Sequence, residues 1–360
     1  MKNLGLFTAL LLGFFSLSAQ TSPKNIILFI GDGMGISQIS SGVYSQTGPS
    51  NFERIRHIGL IKTHSLRDLI TDSAAGATAF ATGSKTYNGA IAMDENGKPL
   101  KTILEIAHDY ELGTGVIATS TIQHATPACF YAHRPERTMY EDITLDFLRG
   151  TVDIAIGGGM RLFKKRKDKQ DVSVKMEEMG YTFYQKLDEA LRDPKERMMV
   201  ITHKGHLPSI KGGRGSYLQT ASLLAIDQLR KQPKGFFLMI EASQIDWGGH
   251  SNNGEYIINE VIDLDRTLGA LLDFVEQDGE TLLIVTADHE TGGFSIIGEE
   301  ENGKLKTGFT TGDHTAALIP VFAYGPGAEN FMGVYDNTEV FHKMLQAYNF
   351  DNNLSNTPNR

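Results

Sequence analysis

Asn25-Ile26-Ile27-Leu28-Phe29-Ile30-Gly31-Asp32-Gly33-Met34-Gly35 is a β-rich apolar run that ends in one carboxylate set among glycines. The glycines permit a tight turn and close backbone approach. They superficially resemble a dinucleotide-binding loop, but their spacing is Gly-x-Gly-x-Gly and an acid sits inside. A carboxylate beside a pyrophosphate is repulsive unless a cation intervenes. Asp32 is therefore a candidate metal ligand. Three other apolar runs end alike: 117–121 leads into His124 and Thr126, 236–240 into Glu241, Asp246 and His250, and 282–286 into Asp288-His289. In open α/β sheets, ligands bind beyond the carboxyl ends of the strands, where groups distant in sequence converge. Any one of these residues could be an ordinary polar group where a strand meets solvent. Their repetition points to a metal-dependent enzyme.

Working outward, apolar runs alternate with amphipathic stretches. Residues 25–30 precede a helical stretch from Gly35, 57–63 precede a helix from Ser73, and 115–119, 152–156, 198–202, 236–240, 282–286 and 318–324 continue the series. The alternation predicts an α/β fold, a three-layer α/β/α sandwich with a mostly parallel central sheet. With 360 residues, 41% of them hydrophobic, a substantial core is available, and residues 20–350 read as one catalytic domain. The segment 161–216 is rich in charge and turn residues, including Lys211-Gly212-Gly213-Arg214-Gly215, and reads as a peripheral elaboration without chemistry of its own. The polar tail 351–360 reads as disordered.

The start of the chain has a charged residue, a short apolar stretch at 4–17 and Ser18-Ala19-Gln20, the pattern of a secretory signal cleaved after Ala19. The stretch is shorter than the roughly 20 residues of a membrane span, and no lipobox cysteine follows. The expected destination is the periplasm or the exterior, with no membrane attachment after cleavage. Cys129 is the only cysteine, so no intramolecular disulfide can form. A formal net charge of −9 argues against sequence-independent nucleic-acid binding. The basic run Lys164-Lys165-Arg166-Lys167, diluted by Asp168 and Asp171, reads as a solvated turn.

Thr71-Asp72-Ser73-Ala74-Ala75-Gly76-Ala77 opens an alanine-rich helix. Backbone amides and the positive dipole end favour an anion at Ser73, and the alanines leave room for a substrate. Asp72 or Ser73 could equally serve as an N-cap. Ser73 lacks the Gly-x-Ser-x-Gly elbow, whereas a metal can deprotonate a hydroxyl without a histidine base. Asp246 and His250, four apart, share a face of one helical turn, although Gly248-Gly249 also suits a tight loop. Asp288 and His289 can share a site only if the chain bends there, and Glu290-Thr291-Gly292-Gly293 supplies turn chemistry. His314, in a loop before another apolar run, is a weaker candidate.

Together these blocks resemble the alkaline phosphatase family. The resemblance is carried by 25–35, Thr71 to Ala75, Ile122-Gln123-His124-Ala125-Thr126-Pro127 continuing to Arg137, 235–250, Thr286-Ala287-Asp288-His289 and Asp313-His314-Thr315, in the family's order. It implies an alkaline-phosphatase-like fold and hydrolysis of phosphate monoesters through a phosphoserine, with an alkaline pH optimum. One zinc would be held by Asp246, His250 and His314, and a second by Asp32, Asp288 and His289. Ser73 would be the nucleophile and Arg137 the phosphate grip. Glu241, Thr126 and Asp32 would form a third site, usually magnesium. Beside that site this chain has His124 where the best-known bacterial pattern has an acid, and Trp247 where it has a lysine. Imidazole there suits zinc or cobalt better than magnesium. Relatives are commonly homodimers, while the brief connection from His289 to His314 shortens the region that caps many of them. A phosphodiesterase of the same superfamily is an alternative, disfavoured because Arg137 suits a doubly charged monoester. A secreted metal- or phosphate-binding protein without turnover would need no nucleophile.

Overall fold

The computed structural model describes residues 22–350; the expected signal segment, 1–19, and the tail, 351–360, lie outside them. In chain order the strands are β1 (Asn25–Gly31), β2 (His57–Lys62), β3 (Gly113–Thr121), β4 (Ile154–Gly158), β5 (Thr182–Tyr184), β6 (Met198–His203), β7 (Phe236–Ala242), β8 (Thr281–Thr286), β9 (Glu290–Thr291), β10 (Ser295–Glu299), β11 (Leu305–Gly308), β12 (His314–Thr315), β13 (Ile319–Tyr324) and β14 (Gly333–Asp336). Ten of them form one sheet in the order β14-β2-β13-β8-β1-β7-β3-β4-β6-β5. All pairings are parallel except those of β13, which runs against both β8 and β2. The fold is the expected mostly parallel α/β/α sandwich.

Burial explains why the central strands read as continuous apolar runs. Every residue of β1, β3, β7 and β8 is buried, so neither sheet face offers a polar side to water. Two sets of helices cover the sheet. Ile36–Ser45, Tyr217–Leu229 and the 25-residue Gly254–Asp278 pack together, as do Ser73–Thr82, Ala125–Ala128 and Thr338–Tyr348. Among the described residues no helix is long and apolar enough to cross a membrane.

Register levels the strand ends that matter. Ile30 of β1 lies opposite Glu241 of β7 on one side and Thr286 of β8 on the other, and Ala118 of β3 lies opposite Glu241. Asp32, Glu241, Asp288 and His124 therefore leave four adjacent strands, β8-β1-β7-β3, at the same carboxyl edge.

Two expectations need correction. The basic run is not a uniformly solvated turn, because Arg166 is buried and donates to Asp168 and to the Glu141 carbonyl. The segment 161–216 does occupy the β6-β5 edge of the sheet, but its buried Arg214 pairs with Glu260 and its exposed His206 packs against Trp247, contacts its composition did not suggest.

Candidate active site

Asp72, not Ser73, is the N-cap of the alanine-rich helix, its Oδ1 accepting the Ala75 N–H at 2.9 Å. Ser73 thus becomes the first helical residue, with its hydroxyl 3.3 Å from His289 Nε2. The second Asp72 oxygen accepts from Gly89 N and from Arg137 Nη1 at 2.9 Å. That bond engages one guanidinium nitrogen of Arg137, which also lines the cleft. Burial opposes the charge on Arg137, and the Asp72 carboxylate, together with Asp32 and Tyr140, more than offsets it.

The Asp246–His250 question resolves as a helix, Ile245–His250. Its glycines serve packing: a Cβ on Gly249 would meet Thr291 at 2.7 Å, and one on Gly248 would meet Ile257 at 2.8 Å. The bend at Asp288 is present, immediately after β8. β9 and β12 then pair so that His314 stands opposite Thr291, which delivers this histidine to the cluster.

Two groups of donor atoms result. Asp246 Oδ1, His250 Nε2 and His314 Nε2 form a triangle with sides of 3.3, 3.1 and 3.5 Å. His289 Nε2 lies 3.5 Å from Asp32 Oδ1 and 3.4 Å from Asp288 Oδ2, close to Ser73 as well. Each ring is oriented from behind. His250 Nδ1 donates to the Gly312 carbonyl, His314 Nδ1 to the Thr71 carbonyl, and His289 Nδ1 meets Thr291 Oγ1, whose own proton goes to Asp246. With Nδ1 so engaged, Nε2 presents a lone pair, the tautomer a metal ligand needs.

A third group brings ligand atoms of Asp32, His124 and Glu241 within 4.8 Å of one another. His124, expected only beside this site, thus comes within ligand range. The buried Thr126 Oγ1 has no hydrogen-bond partner. The carboxylates divide their oxygens tellingly. Asp288 Oδ1 accepts two backbone N–H bonds, from Gly33 and His289, while Oδ2 has none. Glu241 Oε2 accepts from Ser120 and Ser243, while Oε1 has none. Neither oxygen of Asp32 has a partner, and Asp32 belongs to two donor groups.

Burial and mutual repulsion push these acids up: Glu241 to about 7, Asp288 to about 6, and Asp32 well above the ordinary range. Asp246, though buried, is held low by His314, His289 and His250. Burial drives His124 down to about 3 and His289 well below its usual value, so both rings are neutral. Unpartnered buried oxygens each cost about 1–3 kcal/mol, more when ionised. Divalent cations would satisfy this donor set.

The groups open into a cleft of about 610 Å³ lined by Ser73, Arg137, Asp246, Trp247, His250 and His314, with Ile70, Asn88 and His124 also on its wall. Sequence reading missed the residues that hold the donors. Thr291 was noted only as turn chemistry, Ser243 lies two positions after Glu241, and Asn88, which accepts from Asp72 N and donates to the Ile70 carbonyl, carries no motif. Only the serine two residues from a candidate ligand offered a local signal.

Comparison with known proteins gives consistent matches. The family model described as "Alkaline phosphatase" matches residues 23–305 and 299–350. Alkaline phosphatase 3 of Bacillus subtilis (strain 168) is 32% identical over 421 residues, covering 92% of this chain and 90% of that protein. The structure of alkaline phosphatase from the Antarctic bacterium TAB5 superposes with a TM-score of 0.88 at 44% identity, covering 92% of this chain and 99% of that one. A TAB5 variant with aspartate in place of a histidine, solved with Mg bound in the M3 site, matches with a TM-score of 0.87 at 44% identity over the same shares.

Proposed function

The chain belongs to the alkaline phosphatase family, enzymes that hydrolyse phosphate monoesters, and we propose that it acts through a phosphoserine on Ser73 beside two zinc ions, with an alkaline pH optimum. Residues 20–350 would form one catalytic domain, exported to the periplasm or secreted. Asp246, His250 and His314 would hold one zinc. Asp32, Asp288 and His289 would hold the second, next to Ser73, and Asp32, Glu241 and Thr126 the third ion, with His124 at its side. The observation that carries this reading is the set of unpartnered carboxylate oxygens converging near Ser73 Oγ and three oriented Nε2 atoms. The 3.1–3.5 Å donor separations suit a tetrahedral zinc, whose ligand–ligand edge is about 3.3 Å. Asp32, with neither oxygen engaged in a hydrogen bond, would contribute to both the second and the third ion's donor set.

When bound, such ions would neutralise charge on the phosphoryl oxygens and lower the pKa of the serine hydroxyl and of water. Arg137, braced by Asp72, would grip the phosphoryl group with its remaining N–H donors. Ser73 Oγ, having given its proton to solvent, attacks phosphorus in line; the P–O bond to the leaving group breaks, and the departing alkoxide takes a proton from water to leave as the alcohol. The helix dipole at Ser73 favours the anionic nucleophile and the phosphate that replaces it. Water then attacks phosphorus, the bond to Ser73 Oγ breaks, and inorganic phosphate leaves. Acids raised to about 6 and about 7 must lose protons before they can hold cations, which supports activity above neutrality.

His124 favours zinc or cobalt over magnesium at the third site. The TAB5 variant that exchanges a histidine for aspartate and carries magnesium at M3 supports this reading. Ser73→Ala tests the covalent route: turnover of a phosphate monoester should fall by about 10³-fold or more, and acid-quenched wild-type enzyme should carry a phosphorylated serine that the variant lacks. Near-wild-type turnover by Ser73→Ala would overturn it.

A further inference from the structure

After β6, residues 204–216 cross the carboxyl edge of the sheet and are held there at several points. Gly159 N donates to the Gly205 carbonyl, Leu207 N to the Thr119 carbonyl, and Gln244 Nε2 to the Leu207 carbonyl. Farther along, Glu260 accepts from Ile210 N, and Arg214 forms a buried ion pair with Glu260 and Asp263 of the long helix. A loop so restrained can present one side chain in a fixed place. That side chain is His206.

Its Nδ1 accepts the Thr121 N–H at 3.0 Å, at the end of β3 and three residues before His124. Its ring meets Trp247 edge-on, with centroids 4.8 Å apart and planes at 74°, and meets His124 at 5.7 Å and 84°. Trp247 and His124 are themselves edge-to-face at 6.2 Å and 78°, so the three rings close a triangle. Offset and edge-to-face contacts are the favoured aromatic geometries. Trp247 and His124 line the cleft, and the solvent-exposed His206 ring packs against both.

With the cleft read as a phosphomonoesterase site, we propose that His206 is a positioning residue: its imidazole fixes Trp247, together with His124, as a wall of the substrate cleft. The reacting groups have separate restraints. Arg137 is held by Asp72, His314 by the Thr71 carbonyl, and His250 by the Gly312 carbonyl. Loss of the His206 ring therefore disturbs substrate binding more than the chemical step.

Trp247 is the only tryptophan of the chain, so emission excited selectively from tryptophan reports this triangle alone. Three variants separate the two contacts of His206. His206→Phe keeps a ring without the acceptor, His206→Asn keeps an acceptor without the ring, and His206→Ala removes both. In metal-loaded enzyme, His206→Ala and His206→Asn should raise acrylamide quenching of Trp247 and raise KM for an aryl phosphate several-fold, with kcat changed by less than about twofold. His206→Phe should restore both. Wild-type quenching and KM in His206→Ala would overturn the proposal. So would rescue by His206→Asn but not His206→Phe, which would make the Thr121 bond the whole role. If wild-type enzyme fails to turn over the aryl phosphate, the functional reading fails, and the quenching comparison still decides the placement of Trp247.

Discussion

Asp32 has both carboxylate oxygens buried without a protein donor, whereas Asp288 and Glu241 each commit one oxygen to backbone or serine donors. Its neighbour is packed tightly as well. Gly33 adopts a φ of +75°, and a Cβ there would lie 2.7 Å from the Asp246 Cα and from Thr291 Oγ1. Turn and contact thus place Asp32 against the helix that carries Asp246. Gly33→Ala should lower kcat/KM for a phosphate monoester by about 10–100-fold, through displacement of groups that must be aligned. Gly97→Ala is the control, with the same φ of +75° and nothing within 4 Å of the added carbon. Equal kinetic losses in the two variants would show that backbone strain, not the close approach at Gly33, is responsible.

At the level of elements, strands β1, β7 and β8 were legible because burial on both faces leaves unbroken apolar runs. The acids at their carboxyl ends were legible for the same reason, since Asp32, Glu241 and Asp288 each interrupt such a run. Strand order and the reversal of β13 were not, because apolar period carries no information on neighbours, and β13 looks like any other run. Gly248-Gly249 allowed a loop or a helix, and only the distant partners Ile257 and Thr291 decide for the helix. Residues 204–216 were opaque for a similar reason. The role of His206 rests on rings from two other segments, and that of Arg214 on acids about 50 positions away. Arg166 read as solvated from its basic neighbours, yet the Glu141 carbonyl and Asp168 draw it inside.

Across the whole molecule, three adjacent strands, β8, β1 and β7, bring Asp32, Glu241 and Asp288 to one buried edge, beside Asp246, and without metal the fold accommodates that charge by holding protons. Asp288 and Glu241 rise from ordinary values of 3.8 and 4.5 to about 6 and about 7. Between about pH 4 and about 7 these two acids hold protons in the folded chain that the unfolded chain has released, so their contribution to metal-free stability falls as pH rises, while the depressed His124 and His289 act in the opposite sense. Asp246 shifts the other way, and its contribution is lost only in stronger acid. Metal binding displaces these protons, so the gap in Tm between zinc-loaded and chelator-treated protein should be wider at pH 8 than at pH 5. A constant gap, or one that narrows with pH, would contradict this. The most direct test of the metal-dependent phosphomonoesterase is phosphate release from a monoester by chelator-treated protein, before and after zinc is returned. Release should cease on depletion and return with zinc; undiminished release from metal-free protein would contradict it.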